Sequence, residues 1–302
     1  MKAWVHGEST DQETLERLGF NLVNFYNSKC IFCDNLMSSV SIPDIWGHSP
    51  ENYLKLYYKS IDINWMHYQE GVSLKHFELA DGDPGSDIYC TAHACKVCGW
   101  WVLEKKVLLN SKSTQIWELI LATAGVLNNF DLTDLSLPVE EIKKYLTAKY
   151  DSRFSLNPKK YEDVVASVFK NLGYSAQVTG YSSDGGIDVI LNNSDDNFIG
   201  VQVKRYKNKI KVEQIRSFIG ALFINNYTNG IFVTTSDFQS GASKLAKSIS
   251  DKTYSVELLN AKRFYEALKL SQVKSFSDEY PLNYLTNVPN LHPITSLHLN
   301  PL

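Results

Sequence analysis

The chain has no apolar run of the roughly 18 residues that a membrane span requires. Its opening residues, Met1-Lys-Ala-Trp-Val-His-Gly-Glu8, lack the apolar stretch of a signal peptide. An excess of positive charge is missing too. Lys and Arg number 30 against 33 Asp and Glu, a formal net charge of −3, so any attraction to a polyanion must be local. No internal repeat stands out, and 44% hydrophobic with 21% charged residues excludes a disordered chain. Cysteine is scarce, five in 302 residues, yet four of the five fall in two Cys-x-x-Cys pairs. That usage suits metal binding in a reducing compartment better than a disulfide framework. The expectation is a cytoplasmic protein with no membrane segment, long enough for two domains.

What is present centres on two segments, Asp184-Gly-Gly-Ile-Asp-Val-Ile-Leu191 and Ile199-Gly-Val-Gln-Val-Lys-Arg-Tyr206. Both read as short β-strands separated by a turn cluster at 192–197. Side chains two apart in a strand share a face, so Gln202 and Lys204 emerge together, opposite Val201 and Val203. Asp188 lies in an otherwise apolar strand, where a carboxylate is costly unless it is paired, hydrogen-bonded or bound to a metal. If the two strands adjoin, Asp188, Gln202 and Lys204 converge. An acid, an amide oxygen and an ammonium at a strand edge are the parts of a magnesium-assisted phosphodiester cleavage site. Asp188 is the expected principal Mg²⁺ ligand, joined by the Gln202 amide oxygen and the Val203 carbonyl. A neutral amide adds no charge, so a second acid is expected: Glu162 at the start of the preceding helix, or Asp184. Lys204 is expected to orient the attacking water or to offset charge on phosphorus. Each residue also has a plain structural reading: Asp188 as an acid beside a turn, Glu162 as an acid favouring a helix dipole, Asp184-Gly-Gly as a turn, Lys204 as a strand-edge lysine. Arg205, Lys207, Lys209 and Lys211 follow directly, a local basic run suited to phosphate contact.

These residues resemble the nuclease core of the Mrr-type restriction endonucleases, the branch of the PD-(D/E)xK superfamily in which Gln replaces the acid before x-Lys. The likeness extends to Tyr161-Glu162, Leu172-Gly173-Tyr174, Val178-Thr179-Gly180, Gly220-Ala221-Leu222 and Gly230-Ile-Phe-Val-Thr-Thr-Ser236, in that order, and covers roughly residues 155 to 258. The resemblance implies a Mg²⁺-dependent endonuclease acting on double-stranded DNA, in restriction or anti-phage defence, and with it a possible defence-system partner protein. One incision site does not break both strands of a duplex, so a homodimer or larger assembly is expected. Two other readings stay open at this point: a DNA-binding module on a decayed nuclease fold, and a structure-selective junction nuclease.

In the first half of the chain, Cys30-Ile-Phe-Cys33 and Cys95-Lys-Val-Cys98 are two knuckles able to complete a tetrahedral structural Zn²⁺ site. Cys90 and His93 stand near the second, and either is able to replace a ligand or to support one. The many aromatics here, Trp100, Trp101 and Trp117 among them, read as the core of a small β-rich domain before they read as a base-stacking surface. Strands are expected at 100–109, 115–122 and 126–130, the last after a Thr-Ala-Gly turn. His48, His67 and His76 have no spacing that makes a site. A short helix between Ser9 and Gly19 is expected.

From Leu137 the texture changes. Pro138 opens a helix to about Tyr150, read as a connector, with a hinge at 151–156. Asn157-Pro158 starts another helix whose apolar face is Tyr161, Val164, Val165, Val168, Phe169 and Leu172. The remaining order predicts an α/β (α+β) fold, a restriction-endonuclease-like mixed sheet flanked by helices and preceded by a smaller β-rich, zinc-stabilised domain. The expected divisions are 1–135 for the zinc domain, 136–154 for the connector, 155–270 for the nuclease domain and 271–302 for a tail.

Overall fold

The computed structural model describes residues 1–6, 29–44, 77–79, 88–111, 116–180, 185–193, 197–250, 254–276 and 292–293. The helix expected between Ser9 and Gly19, His48, His67, His76 and Asp184 lie outside them. The chain divides into two compact units: Trp4–Asn128 with Ser277–Leu302, and Met1–Ala3 with Asn129–Phe276.

The first unit is built on an antiparallel sheet. Its strands are β1 (Trp4–His6), β2 (Met37–Ile42), β3 (Phe77–Leu79), β4 (Ile88–Cys95), β5 (Trp101–Ser111) and β6 (Ile116–Leu127), in the order β1-β6-β5-β4-β2, with β3 paired to the far end of β5 and a two-residue seventh strand, His292–Pro293, paired to β6. Trp100 and Trp101 are fully buried, so these two rings belong to the core rather than to an open stacking surface. A turn expected at Thr123-Ala-Gly125 does not occur. β6 runs straight through it, because Gly125 pairs with His6 of β1 and lies under the Trp101 indole; a Cβ there would meet the ring nitrogen at 2.9 Å. Glycine is needed in this strand for close approach, not for chain reversal.

The second unit opens with α1 (Val139–Ala148), read from the sequence as a connector. Ile142 and Leu146 are completely buried, and α1 packs on α2 (Pro158–Asn171). A 3-10 turn at Tyr150–Phe154 follows α1 where a hinge was expected, and the Asn157 N–H donates to Leu132 O at 2.9 Å. Asn157 caps α2 by accepting from Lys159 N, with Pro158 in the first turn. Gly173, at φ 107, ends it: the Tyr174 N–H reaches Phe169 O and the Gly173 N–H reaches Lys170 O, the paired bonds of a Schellman stop.

The sheet of this unit has the order β11-β10-β9-β8-β7, from β7 (Ser175–Val178), β8 (Val189–Asn193), β9 (Asn197–Lys204), β10 (Asn229–Thr234) and β11 (Ser255–Leu259). β7-β8-β9 is an antiparallel meander, and β9-β10-β11 is parallel. Parallel pairs need crossovers, supplied by α3 (Val212–Ile224) and α4 (Ser240–Ser250). Ile215, Phe218 and Leu222 of α3 join Ala242 and Ala246 of α4 over Phe232 and Val256 in one apolar cluster. The helix presses closely because Gly200 and Gly230 face each other in register. A Cβ on Gly230 would stand 2.5 Å from a Leu222 methyl. α5 (Ala261–Ser275) packs on α2 and carries buried Ser271 and Gln272, so residues 271–275, expected in the tail, are the last turns of a helix. This mixed, helix-flanked sheet is the expected architecture.

Candidate active site and cysteine cluster

β8 and β9 adjoin, as the site requires, but Asp188 is not a regular strand residue. Val189 is the register partner of Val201, while the Asp188 N–H also donates to Val201 O at 2.8 Å. Two residues therefore oppose one, a β-bulge that bends the chain and turns the Asp188 side chain towards its neighbour. Its Oδ2 accepts the Val203 N–H at 2.6 Å, so the carboxylate lies against the β9 backbone between Gln202 and Lys204. The entry to the bulge is Gly185-Gly186, at φ 54 and 85, a left-handed pair that suits glycine.

Gln202 is 8% exposed and donates Nε2 to Gly186 O at 2.9 Å. That bond fixes which end of the amide is nitrogen, since a carbonyl accepts only from a donor. Lys204 ends β9 on the same side as Gln202 and is half-buried. Glu162 enters from α2. Burial pushes its carboxyl above the ordinary range; the Lys159 hydrogen bond pulls the other way, and the Asp188 charge adds to the rise. Asp188 and Glu162 thus sense each other. Lys159 Nζ sits 2.6 Å from Glu162 Oε2 and 3.0 Å from Thr179 O.

The basic run after Lys204 is held by its backbone. Thr234 Oγ1 donates to Lys204 O, Thr235 Oγ1 to Tyr206 O and Ser236 Oγ to Asn208 O, at 3.0, 2.8 and 2.7 Å. These hydroxyls are spent on every second carbonyl of the run. Arg205 Nη1 donates to Phe154 O, and Arg153 Nε to Thr235 O at 3.0 Å. Arg205 therefore ties the basic run to the 3-10 turn, and Arg153 ties that turn to Thr235, just past β10. Lys207 and Lys211 are exposed, and Lys209 is exposed with Asp237 3.6 Å away. Sequence reasoning missed Lys159, Arg153 and Thr179; their backbone partners are invisible in a motif.

In the other unit, the Sγ atoms of Cys30, Cys33, Cys95 and Cys98 lie within 4.8 Å of one another, with Cys30–Cys98 at 3.5 Å and Cys33–Cys95 at 3.4 Å. Zn–S bonds of about 2.3 Å in a tetrahedron set sulfurs about 3.8 Å apart, so the four fit zinc. The knuckles repeat one backbone plan. The N–H of Asp34 reaches Cys30 O, and that of Gly99 reaches Cys95 O, both at 2.9 Å. Asp34 and Gly99 are each left-handed, at φ 58 and 77. Phe32 packs edge-on between Trp4 and Trp100, and Trp4 Nε1 donates to Cys98 O at 2.6 Å. Cys90 and His93 stand outside the cluster. Cys90 sits 3.9 Å from Asp44 Oδ1, and burial pushes its thiol up to about 11. His93 Nδ1 is 2.8 Å from Ser39 Oγ and Nε2 is 3.7 Å from Glu104.

Residues 154–268 match the family described as restriction endonuclease, the Mrr catalytic domain. This stretch is a restriction endonuclease domain of the Mrr type. The type IV methyl-directed restriction enzyme EcoKMrr of Escherichia coli (strain K12) is 32% identical over 106 residues, 33% of this chain and 35% of that protein. The chain thus spans about a third of the length of the curated relative it matches. Among solved structures, the DNA modification-dependent restriction endonuclease AspBHI aligns over 49% of this chain and 41% of its own, at 19% identity and TM-score 0.34. A repair endonuclease from Pyrococcus abyssi aligns over 61% and 83%, at 13% identity and TM-score 0.23. The Mrr-type domain holds all four expected catalytic positions, Glu162, Asp188, Gln202 and Lys204. Among the described residues no helix is long and apolar enough to cross a membrane.

Proposed function

We propose that this protein is a Mg²⁺-dependent endonuclease of double-stranded DNA, acting in restriction or anti-phage defence. The observation that carries the reading is the Asp188 carboxylate, buried in a bulge and bonded to the Val203 N–H between Gln202 and Lys204. A buried acid whose charge helps raise the carboxyl of a second acid, Glu162, belongs to a donor set that favours a hard cation. Asp188, the Gln202 amide oxygen and the Val203 carbonyl would hold the ion. Bound there, Mg²⁺ supplies charge neutralisation at the phosphorus oxygens and lowers the pKa of water. Lys204 orients the attacking water and offsets charge developing on phosphorus, while Glu162 supports the site from α2. Strand β9 presents Gln202 and Lys204 at fixed spacing, and the Thr234-Thr235-Ser236 bonds hold the following backbone rigid, which is the preorganisation such chemistry needs.

Lys207, Lys209 and Lys211 supply the local positive surface that the net charge of −3 does not. Arg205 steadies that run from beneath rather than meeting phosphate. Zinc held by Cys30, Cys33, Cys95 and Cys98 stabilises the β-rich unit, which selects the target or recruits a defence partner. Two copies act together to break both strands, in the cytoplasm. The test is a plasmid cleavage assay with Mg²⁺ and with EDTA, on methylated, unmethylated and phage DNA, beside Asp188→Ala and Lys204→Ala. Cleavage is expected with Mg²⁺ alone and in neither variant. An Asp188→Ala protein that still cuts would overturn the reading, and folded protein that binds DNA without cutting would favour a non-catalytic module.

A further inference from the structure

Lys159 is one helical turn before Glu162 on α2 and is not accounted for by the reading above. Its ammonium, with the side chain 20% exposed, lies 2.6 Å from Glu162 Oε2, and Glu162 is itself 17% exposed. The same nitrogen donates to Thr179 O at 3.0 Å. Thr179 is the residue on which the bulge is hung: its N–H donates to Asp188 O, and its Oγ1 lies within hydrogen-bond distance of both Ile187 O and Asp188 O. One amine therefore bridges the element that carries Glu162 and the edge strand that fixes Asp188. Asn157 holds the Lys159 backbone N–H at the helix cap, which sets the amine's origin.

We infer that Lys159 is a built-in cation of the active site, a positioning residue whose ammonium fills the place of a second divalent ion. The centre therefore takes up one metal. A second ion drawing on Glu162 would share a carboxylate that Lys159 already pairs with through Oε2, and would have to approach a fixed positive charge. Held by Lys159, Glu162 serves the metal from outside its coordination shell. This rests on the metal-dependent nuclease reading, because it assigns the charge arrangement of that same site.

The test is Mn²⁺ uptake by the full, zinc-loaded chain, read by electron paramagnetic resonance and isothermal titration without DNA. Wild type is expected to take up one Mn²⁺ beyond the zinc. Lys159→Gln is expected to take up two, the second lost again in Lys159→Gln/Glu162→Gln, and Lys159→Arg to return to one. Two ions in the wild-type chain would overturn the inference without any variant, as would a Lys159→Gln protein that binds one ion within twofold of wild type. Asp188→Asn separates the two levels. If wild type takes up no Mn²⁺ and Asp188→Asn behaves identically, the metal-dependent reading fails and this inference with it; if Asp188→Asn abolishes uptake while Lys159→Gln changes nothing, only the role of Lys159 fails.

Discussion

Gln202→Glu would put an acid where this site has an amide, and the structure says it should be harmful without metal. The Gln202 amide donates Nε2–H to Gly186 O at 2.9 Å. A carboxylate in that place is an acceptor facing an acceptor. Loss of the bond costs about 1 kcal/mol, and leaving a buried, 8% exposed group without its partner adds about 1–3 kcal/mol. Asp188 and Glu162 already share the neighbourhood, so repulsion adds to the same side. A total of about 3 kcal/mol holds the folded-state pKa of the new carboxyl well above the ordinary glutamate range. The sign follows from linkage. Below the unfolded value both states hold the proton, and a neutral carboxyl can donate to Gly186 O as the amide did. As pH rises from about 4.3 the unfolded state gives up its proton first, so stability falls until the folded value is passed and then stays low. Thermal melts followed at the nuclease unit should show variant and wild type alike near pH 4, and a deficit of about 6–12 °C at pH 8, at 2–4 °C per kcal/mol. Mg²⁺ at a hundred times its dissociation constant should return about 2.7 kcal/mol. A Gln202→Met control should be destabilised with no such pH dependence. A Gln202→Glu protein as stable as wild type at pH 8 without Mg²⁺ would refute the reasoning.

Metal affinity of the wild-type chain should fall with decreasing pH earlier than an ordinary glutamate would dictate, because burial and Asp188 raise Glu162; titration of Mn²⁺ binding against pH should show the fall, and Glu162→Gln should flatten it. Gly230→Ala should destabilise the nuclease unit by about 1–3 kcal/mol in urea, since its Cβ would stand 2.5 Å from a Leu222 methyl and 2.8 Å from Phe218. Arg205→Ala should lower stability through the lost Phe154 contact, whereas Lys207→Ala should leave stability alone and reduce the salt slope of DNA binding by about 1. Cys98→Ser should abolish bound zinc and unfold the β-rich unit, while Cys90→Ser keeps one zinc per chain; metal analysis and far-ultraviolet dichroism check both.

Local signals carried most of the fold. Asn157-Pro158 and Gly173 mark the two ends of α2, the first as its cap and the second as its left-handed stop. The apolar spacing on α3 places Ile215, Phe218 and Leu222 inside as a helical period requires, but Phe223, apolar as well, is exposed. β9 buries Gln202 as well as Val201 and Val203, so alternation there does not pick out a single buried face. Long-range neighbours did the damage elsewhere. Gly125 reads as a turn until the Trp101 ring is laid over it, and the helix after Pro138 reads as a linker until it packs on α2 with Ile142 and Leu146 buried. Neither partner is within a window of residues that a local pattern can see.

The site divides along the same line. Asp188, Gln202 and Lys204 are legible because the chemistry needs particular side chains at a particular strand spacing. What aims them is backbone: a two-against-one register at Asp188–Val189 opposite Val201, and three hydroxyls of Thr234-Thr235-Ser236 tied to alternate carbonyls of residues 204–208. Main-chain carbonyls are the same in every sequence, so a residue that acts through them leaves no motif. Lys159 is the sharpest case. As a lysine in the first turn of a helix it is on the unfavourable end of the dipole, a small local conflict that the helix tolerates. Glu162 alone, three residues on, would account for it as a surface pair worth a few tenths of a kcal/mol. Only Thr179 O, just past an edge strand and twenty residues later, turns that pair into a link between the helix that carries Glu162 and the backbone of Asp188. A residue that breaks a local preference and is answered by a distant backbone atom is therefore where function beyond the motif should be sought in this chain.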